Sequence, residues 1–295
     1  MQICEKQVKG ILTKTAVPTG GYAVNPYIGC AHSCRYCYAS FMKRFTGHTE
    51  QWGTFMDVKY WDKIKNPRKF DGERIVIGTV TDGYNPYEER FQRTRAFLEE
   101  MRGVNCALTI ITKSDLVLRD LDLLREFKDV TVAFSINTLD EAFRADMDSA
   151  VSIERRFRAM EVLYKAGIRT ACFISPIFPE LTDVCGIIEH CRNFCDLVWL
   201  ENLNLRGSYK RVILDYIEEK YPHLVGVYAD IYRRGRKDYW RMLEEKLAAY
   251  TKENGLPYLD NYLPDMRADK GFPAVVNYLF HEEVRGSENT GRRKQ

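Results

Sequence analysis

The stretch GCAHSCRYCYASF brings Cys30, Cys34 and Cys37 within eight residues of one another and offers no fourth cysteine nearby. Thiolates at this CxxxCxxC spacing on a tight loop suit an iron–sulfur cluster, for which four ligands are usual. Three protein thiolates leave one iron open, so that a small molecule can complete the coordination, as catalysis requires. A structural zinc site or a set of buried thiols is the alternative. Zinc would seek a fourth protein ligand, which His32 supplies only if the loop folds back sharply. Polar residues at expected strand ends extend the set: Thr81, Asp82, Lys113, Ser135 and Asn137, then Glu201, Asn202, Asn204 and Arg206. A lysine pointing inward at a strand end needs a charge partner, and Ser and Asn there can hydrogen-bond a ligand. Ordinary strand-end capping and solvation is their alternative use.

Six short apolar runs, 23–28, 74–80, 107–111, 130–136, 170–175 and 197–200, lack the alternation of a half-exposed sheet, as parallel strands buried on both faces do. Helix-like stretches lie between and after them: 34–44, 87–102, 116–127, 153–166, 181–195 and 209–221. Gly103 and Gly167 close two of these, and Ser152 can cap the fourth, with Arg155 where a capping box would have Glu. Six βα units predict an α/β barrel or partial barrel with its chemistry at the carboxyl ends of the strands. A doubly wound open sheet is the alternative. Beyond residue 224 come a basic turn, RRGRK, a long amphipathic helix through Lys252 and a polar tail, RGSENTGRRKQ, expected to fray. The chain thus divides into an N-terminal segment (1–22), a barrel (23–223) and a C-terminal helical extension with its tail (224–295).

A chain of 295 residues with 45% hydrophobic content can bury one substantial core. A net charge of +3 with 29% charged residues fits an ordinary soluble protein and by itself names no partner. Nine cysteines could indicate a secreted disulfide scaffold, but the number is odd, the chain is long, and MQICEKQVKG lacks the apolar core of a signal peptide. A reducing cytoplasm is the expectation. No apolar stretch approaches the roughly 20 residues that span a membrane.

CAHSCRYC resembles the cluster motif of the radical S-adenosylmethionine (SAM) superfamily. The resemblance implies a partial (β/α)6 TIM-type barrel and a four-iron, four-sulfur (4Fe-4S) cluster whose open iron is chelated by SAM. It further implies reductive cleavage of SAM to a 5′-deoxyadenosyl radical that abstracts hydrogen from a substrate, in a lyase- or transferase-type enzyme. Tyr36 matches an aromatic residue that lies near the adenine. GTVTDGYNPYEERFQRTRAFLE, ITKSDLVLRDLDLL, VAFSINTLDE and WLENLNLRG resemble, in order over 25–207, the spore photoproduct lyase-like branch. NPYIGCAHSCRYCYASFMKRFTGHTEQWGTF is similar to the radical SAM mobile pair protein B group, named for occurring beside a second radical SAM protein. That implies a paired radical SAM partner, together with a reductant such as flavodoxin or ferredoxin.

The resemblance puts Thr81 and Asp82 beside SAM, where the lyase branch has a Ser-Asp pair. Lys113 falls against the SAM carboxylate, Ser135 and Asn137 near the ribose or methionyl group, and Asn202 with its neighbours near adenine or substrate. True lyases carry a hydrogen-donating cysteine just before the Ser-Asp pair, whereas Thr79 and Val80 stand here. The lyase reaction itself is therefore not expected, and Tyr84 or Tyr38 becomes the candidate hydrogen donor.

A nucleic-acid or nucleotide substrate is suggested by that branch and by the run Arg233, Arg234, Arg236 and Lys237. The tail residues Arg292, Arg293 and Lys294 and the pairs Tyr60-Trp61 and Tyr239-Trp240, which could stack on bases, point the same way. Peptide or small-molecule modification fits the same cofactors. A noncatalytic iron–sulfur electron-transfer or regulatory protein serving the paired partner is the alternative of a different class. Cys106 and Cys172 fall in expected strands and belong to packed interior. Cys185, Cys191 and Cys195 read as free thiols rather than an auxiliary cluster, since only the last two share a helical face. His32 and His48 read as hydrogen-bonding surface residues. Alanine at Cys30, Cys34 or Cys37 is expected to abolish the visible iron–sulfur absorbance and all SAM cleavage, because each thiolate holds one iron. Alanine at Cys185 or Cys195 is expected to leave iron per chain unchanged, and an iron assay checks both.

Overall fold

The structure, a computed structural model, describes residues 1–15, 17, 21–259, 273–277 and 279. Its strands are β1 (Gln2–Val8), β2 (Leu12–Lys14), β3 (Tyr22–Val24), β4 (Tyr27–Ile28), β5 (Phe55–Trp61), β6 (Arg74–Ile77), β7 (Ala107–Thr112), β8 (Asp129–Ser135), β9 (Arg169–Ile177), β10 (Leu197–Asn202), β11 (Tyr258–Leu259) and β12 (Ala274–Asn277). Its α-helices are α1 (Glu88–Phe91), α2 (Arg93–Glu100), α3 (Leu121–Leu124), α4 (Glu141–Met147), α5 (Ile153–Lys165), α6 (Val184–Cys191), α7 (Tyr209–Lys220), α8 (Val225–Tyr232) and α9 (Asp238–Glu253).

The larger sheet is ordered β11-β12-β10-β9-β8-β7-β6-β3-β2. From β3 through β6, β7, β8 and β9 to β10 every neighbour is parallel, which is the partial (β/α)6 barrel. Strand alternation divides its core. Ile75, Ile77, Leu108, Ile110, Val132 and Phe134 meet the helix layer at Phe97, Leu98, Met160 and Leu163. The small Ala133 and Ala171 face the other way, against Leu197, Trp199 and Val276. Full burial of each large apolar side chain contributes about 1.5–3 kcal/mol. The C-terminal extension is helical in α8 and α9, and it also returns β12 and β11, which add in parallel beyond β10. Among the described residues no helix is long and apolar enough to cross a membrane.

A second sheet, β1-β5-β4, carries the cysteine loop. The expected strand over 23–28 splits at Asn25-Pro26: β3 joins the barrel, whereas β4 pairs antiparallel with β5. Pro26 has no N–H for a ladder. The Asn25 amide instead fastens the end of β6, its Oδ1 accepting from Val80 N (3.1 Å) and its Nδ2 donating to Thr79 Oγ1 (2.9 Å). β1 and β2 escape the apolar pattern because they are charged and half-exposed.

The expected helices also need correction. That over 34–44 starts only after Cys37, as the 3-10 helix Tyr38–Phe45. That over 87–102 breaks at Gln92, whose φ is +52. The break lets the fully buried Glu88 carboxylate cap α2 by accepting from Thr94 N (3.0 Å) and Arg95 N (3.1 Å). Glu88 also takes Arg119 Nη2 (2.7 Å) and the hydroxyl of Tyr27, so it ties β4 to the helix layer. The stretch 116–127 is a 3-10 turn, Asp115–Asp120, followed by α3, and the one over 181–195 shortens to α6, capped by Asp183. Ser152 caps α5 as expected, accepting from Arg155 N (3.3 Å).

Candidate functional site

After β4, Gly29 takes φ +85, and a Cβ there would lie 2.2 Å from the Phe55 carbonyl oxygen. Only glycine lets the chain turn off β5 this closely. The loop that follows is fastened along its length. Thr81 Oγ1 donates to Gly29 O (2.7 Å), Ser33 Oγ donates to Gly53 O (3.0 Å), Arg35 N donates to Met147 O (2.9 Å) and Ser149 N donates to His32 O (2.8 Å). Cys30 is buried, Cys34 and Cys37 are half-buried, and none is in a disulfide.

Asp82 forms the main anchor. Its Oδ1 accepts from Tyr84 N (2.8 Å) and Thr112 Oγ1 (2.8 Å), and its Oδ2 accepts from Lys113 N (2.7 Å) and His32 Nε2 (3.0 Å). A carboxylate only accepts, so His32 Nε2 carries the proton of this pair, and Nδ1 is a buried atom without a partner. Burial alone would push the Asp82 carboxyl up, but His32 and the amide donors outweigh it and hold the pKa down at about 2.

Asp148 anchors the other side. It accepts from Arg156 Nη2 (2.8 Å), Ala150 N (3.0 Å) and the Tyr36 hydroxyl (3.3 Å). Arg156, fully buried, reaches on to Ser135 O (3.1 Å) and Val151 O (2.9 Å). Lys113 Nζ lies 5.8 Å from the centre of the Tyr36 ring. Burial works against its charge, but Cys34 and Asp148 outweigh that and raise its pKa. Burial pushes the Cys30 thiol up to about 12, with the Asp82 charge adding to it. Burial also raises Cys34 and Cys37, while Lys113 pulls both back. Such a pocket disfavours bare thiolates and accepts them once cationic iron compensates.

The structure therefore gathers Cys30, Cys34, Cys37, Tyr36, Thr81, Asp82 and Lys113 around one loop at the carboxyl ends of β6 and β7. The side chains of Thr81 and Asp82 are engaged within the protein, in holding the loop. Ser135 ends β8 and is buried. Asn137 follows it, with its carbonyl taken by Thr182 Oγ1 (2.7 Å) and its buried Nδ2 without a partner. Asn202 ends β10, half-buried. Tyr38 stays at the mouth, its ring 53% exposed and its hydroxyl donating to Thr79 O. Tyr84 does not: its N–H is fixed on Asp82 and its ring is fully buried in the helix-side core.

Other expectations change as well. His32 is buried rather than surface-lying. His48 stacks on Phe55 (3.9 Å between centroids) between Glu50 and Asp57, each 3.0 Å away. Arg93 covers Tyr60 and Trp61, Trp240 is buried, and the Tyr239 hydroxyl accepts from Glu180 N. Arg234 and Arg236 are paired with Asp230, and Arg236 also with Asp238, so much of the basic run is neutralised. Arg292, Arg293 and Lys294 lie outside the described residues. Cys195 lies beyond the end of α6, where its sulfur accepts from Cys172 N (3.2 Å) in the core. Asp148 and Arg156 lie outside every quoted motif, and Asn25 and Trp52 stand in the run 25–55 with no role read for them. Arg156 alone leaves a trace, standing on the apolar stripe Ile153, Phe157, Met160 and Leu163 of α5.

The family model of the radical SAM superfamily matches residues 24–190, which include the three cysteines and both anchors. This chain belongs to the radical SAM superfamily. An uncharacterized protein of Methanocaldococcus jannaschii is 37% identical over 225 residues, 75% of this chain and 85% of that one. One of Mycobacterium tuberculosis is 27% identical over 268 residues, 83% of this chain and 78% of that one. In fold the chain is similar to a spore photoproduct lyase mutant with dinucleoside spore photoproduct (TM-score 0.55, 17% identity, 75% of this chain and 66% of that one). It is also similar to Streptococcus suis SuiB bound to precursor peptide SuiA (TM-score 0.53, 15% identity, 90% of this chain and 50% of that one). The chain thus spans just under two-thirds of the lyase and half of SuiB.

The radical SAM family implies SAM and an iron–sulfur cluster, and the residues present fit both. Three thiols outside any disulfide, Cys30 buried and Cys34 and Cys37 half-buried, form the donor set. Among the described residues no three Cys, His, Asp or Glu side chains converge where a single ion could sit. A cluster asks for a different arrangement, since each thiolate binds a different iron. Asn137 Nδ2 and Lys113 Nζ supply a donor and a cation for a polar ligand. Asp82→Asn puts an amide N–H where two donors converge. It is expected to destabilise the protein by about 3 kcal/mol and to lower the iron retained after reconstitution, read by denaturant unfolding and an iron assay.

Proposed function

We propose that the protein holds a 4Fe-4S cluster on Cys30, Cys34 and Cys37 and uses it with SAM to abstract hydrogen from a nucleic-acid or nucleotide substrate. The observation that carries this reading is the set of three thiols, Cys30 buried and Cys34 and Cys37 half-buried, none in a disulfide, on one braced loop at the carboxyl ends of a parallel barrel. When bound, the two groups supply one-electron reductive cleavage of SAM to a 5′-deoxyadenosyl radical, the electron coming from a reductant such as flavodoxin or ferredoxin. Lys113 balances negative charge at the loop and complements the SAM carboxylate. Asn137 offers an amide donor that has no protein partner, and Ser135 and Asn202 line the same end of the sheet. Tyr38 is the candidate hydrogen donor at the mouth, since Thr79 and Val80 supply no thiol.

Fold likeness does not choose between nucleic acid and peptide. The 3-10 helix Tyr38–Phe45, directly after Cys37, favours nucleic acid. Tyr38, Phe41 and Phe45 are exposed there, at 53, 41 and 67%. The Arg44 guanidinium lies over Phe41 (5.4 Å) and Phe45 (4.7 Å). Interleaved aromatic faces and cations are what single strands stack on and pair their phosphates with.

Anaerobic reconstitution with dithionite and SAM is expected to release 5′-deoxyadenosine, and its absence from a fully iron-loaded protein would overturn the enzymatic reading. Lys113→Ala is expected to weaken SAM binding by about 1.5–3 kcal/mol, the worth of a charge-assisted hydrogen bond, without unfolding the chain. Single-stranded DNA or RNA should bind with an affinity that falls with salt by a slope of about 0.7 per neutralised phosphate. Arg44→Ala and Phe45→Ala should weaken that binding in fluorescence anisotropy. No binding at low salt moves the peptide reading into first place.

A further inference from the structure

Resting on the nucleic-acid reading above and deepening it, we propose that Tyr38 and Phe41 are the two walls of a slot that clasps one unpaired base of a single strand at the barrel mouth. In a 3-10 helix, residues three apart eclipse one another and stand about 6 Å apart along the axis. The helix Tyr38–Phe45 therefore sets Tyr38, Phe41 and Arg44 in one row, in that order. The rings of Tyr38 and Phe41 lie 6.3 Å apart between centroids and only 26° from parallel. Eclipsed side chains have little sideways offset, so this separation is mostly a gap between ring faces. Two faces that clasp one base stand about twice the 3.4 Å rise of a strand apart, which the slot matches to within about half an ångström. Both rings are exposed, and an inserted base would cover apolar faces that now meet water.

Both walls are held in place. The Tyr38 hydroxyl donates to Thr79 O, and Asn25 Nδ2 donates to Thr79 Oγ1 (2.9 Å), so one wall is fastened to the barrel at the end of β6. Phe41 stands on a helix anchored from within by the buried Ala39 and at its far end by Lys43, whose Nζ donates to Thr49 O (2.7 Å) and whose carbonyl accepts from Thr46 Oγ1 (2.8 Å). Arg44, next in the row, has its guanidinium 5.4 Å from the centre of the Phe41 ring, and among the described residues it pairs with no carboxylate. It is thus available to a phosphate flanking the clasped base. Such a slot accepts any base, since each has a π-face, but a base inside a duplex must first leave its stack to enter.

Fluorescence anisotropy at low salt compares a short thymidine strand with a fully abasic strand of the same length and charge. The wild type should bind the abasic strand about tenfold or more weakly, the usual effect of losing a stacked base. Phe41→Ala should weaken the thymidine strand by a similar factor with its salt slope unchanged, and leave the abasic strand's affinity as it was. Equal wild-type affinity for the two strands, or Phe41→Ala weakening both alike, would overturn the slot. A second measurement needs no variant: 2-aminopurine is placed at each position of the thymidine strand in turn, and its emission should fall on binding at one position or more, as the base enters between two rings. Unchanged emission at every position would overturn the slot even if Phe41→Ala fails to fold. A wild type that binds neither strand at low salt would instead remove the nucleic-acid reading, and the slot with it.

Discussion

A buried carboxylate must be fully hydrogen-bonded or the fold loses several kcal/mol, and Asp82 meets that demand with donors from three separate places in the chain. Tyr84 N comes from its own turn, Thr112 Oγ1 and Lys113 N from the end of β7, and His32 from between the first two cysteines. Satisfying one side chain thereby fixes where the cysteine loop sits relative to two barrel strands. The loop cannot shift without stranding a charge. Thr81 adds a shorter tether through Gly29, and the close approach of Gly29 to Phe55 sets the angle at which the loop leaves β4.

Asp148 repeats the device from the opposite side. Its partner Arg156 is wholly buried and reaches the last carbonyl of β8, so Tyr36 and Cys34 are placed by the same sheet that places Cys30. Beneath the loop, Glu88 joins Tyr27 to α2 and Arg119. These buried carboxylates are weak contributors to net stability because desolvation offsets much of their attraction. Their value is geometric. They hold three thiols in a low-dielectric pocket where a loop stabilised by apolar contacts alone could slide.

The barrel was legible because parallel strands buried on both faces leave uninterrupted apolar runs, and the six runs correspond to β3 and β6 through β10. Strand ends were harder to read. Pro26 marks the break between β3 and β4, yet a reading based on apolar continuity passes over it. Gln92 breaks a helix beside an inward-turned Glu88 whose partners include Tyr27 and Arg119, tens of residues away, which no local pattern reveals. The cysteine triad was plain from spacing alone. Thr81 and Asp82 were located, but their part in anchoring the loop was not legible, because a strand-end carboxylate looks the same in sequence whether it faces a ligand or anchors a loop. Asp148 had no signal, since its importance comes only from what the fold brings beside it.

On the proposed function, the 3-10 helix after Cys37 would join two tasks in eight residues. Its first amides favour the charged form of the Cys37 sulfur, and further along it exposes Phe41, Phe45 and Arg44. A 3-10 helix rises about 2 Å per residue, so the far end lies roughly 16 Å from the thiol. On that proposal, a ligand gripped at Phe45 would be recognised well away from the reacting atoms. Contacts at that distance act on how often and how long a substrate is held, whereas the braced loop governs what happens to it. Recognition and chemistry can then vary separately: the exposed face of the helix is free to change with the substrate, while the first turn is bound to the geometry of Cys37.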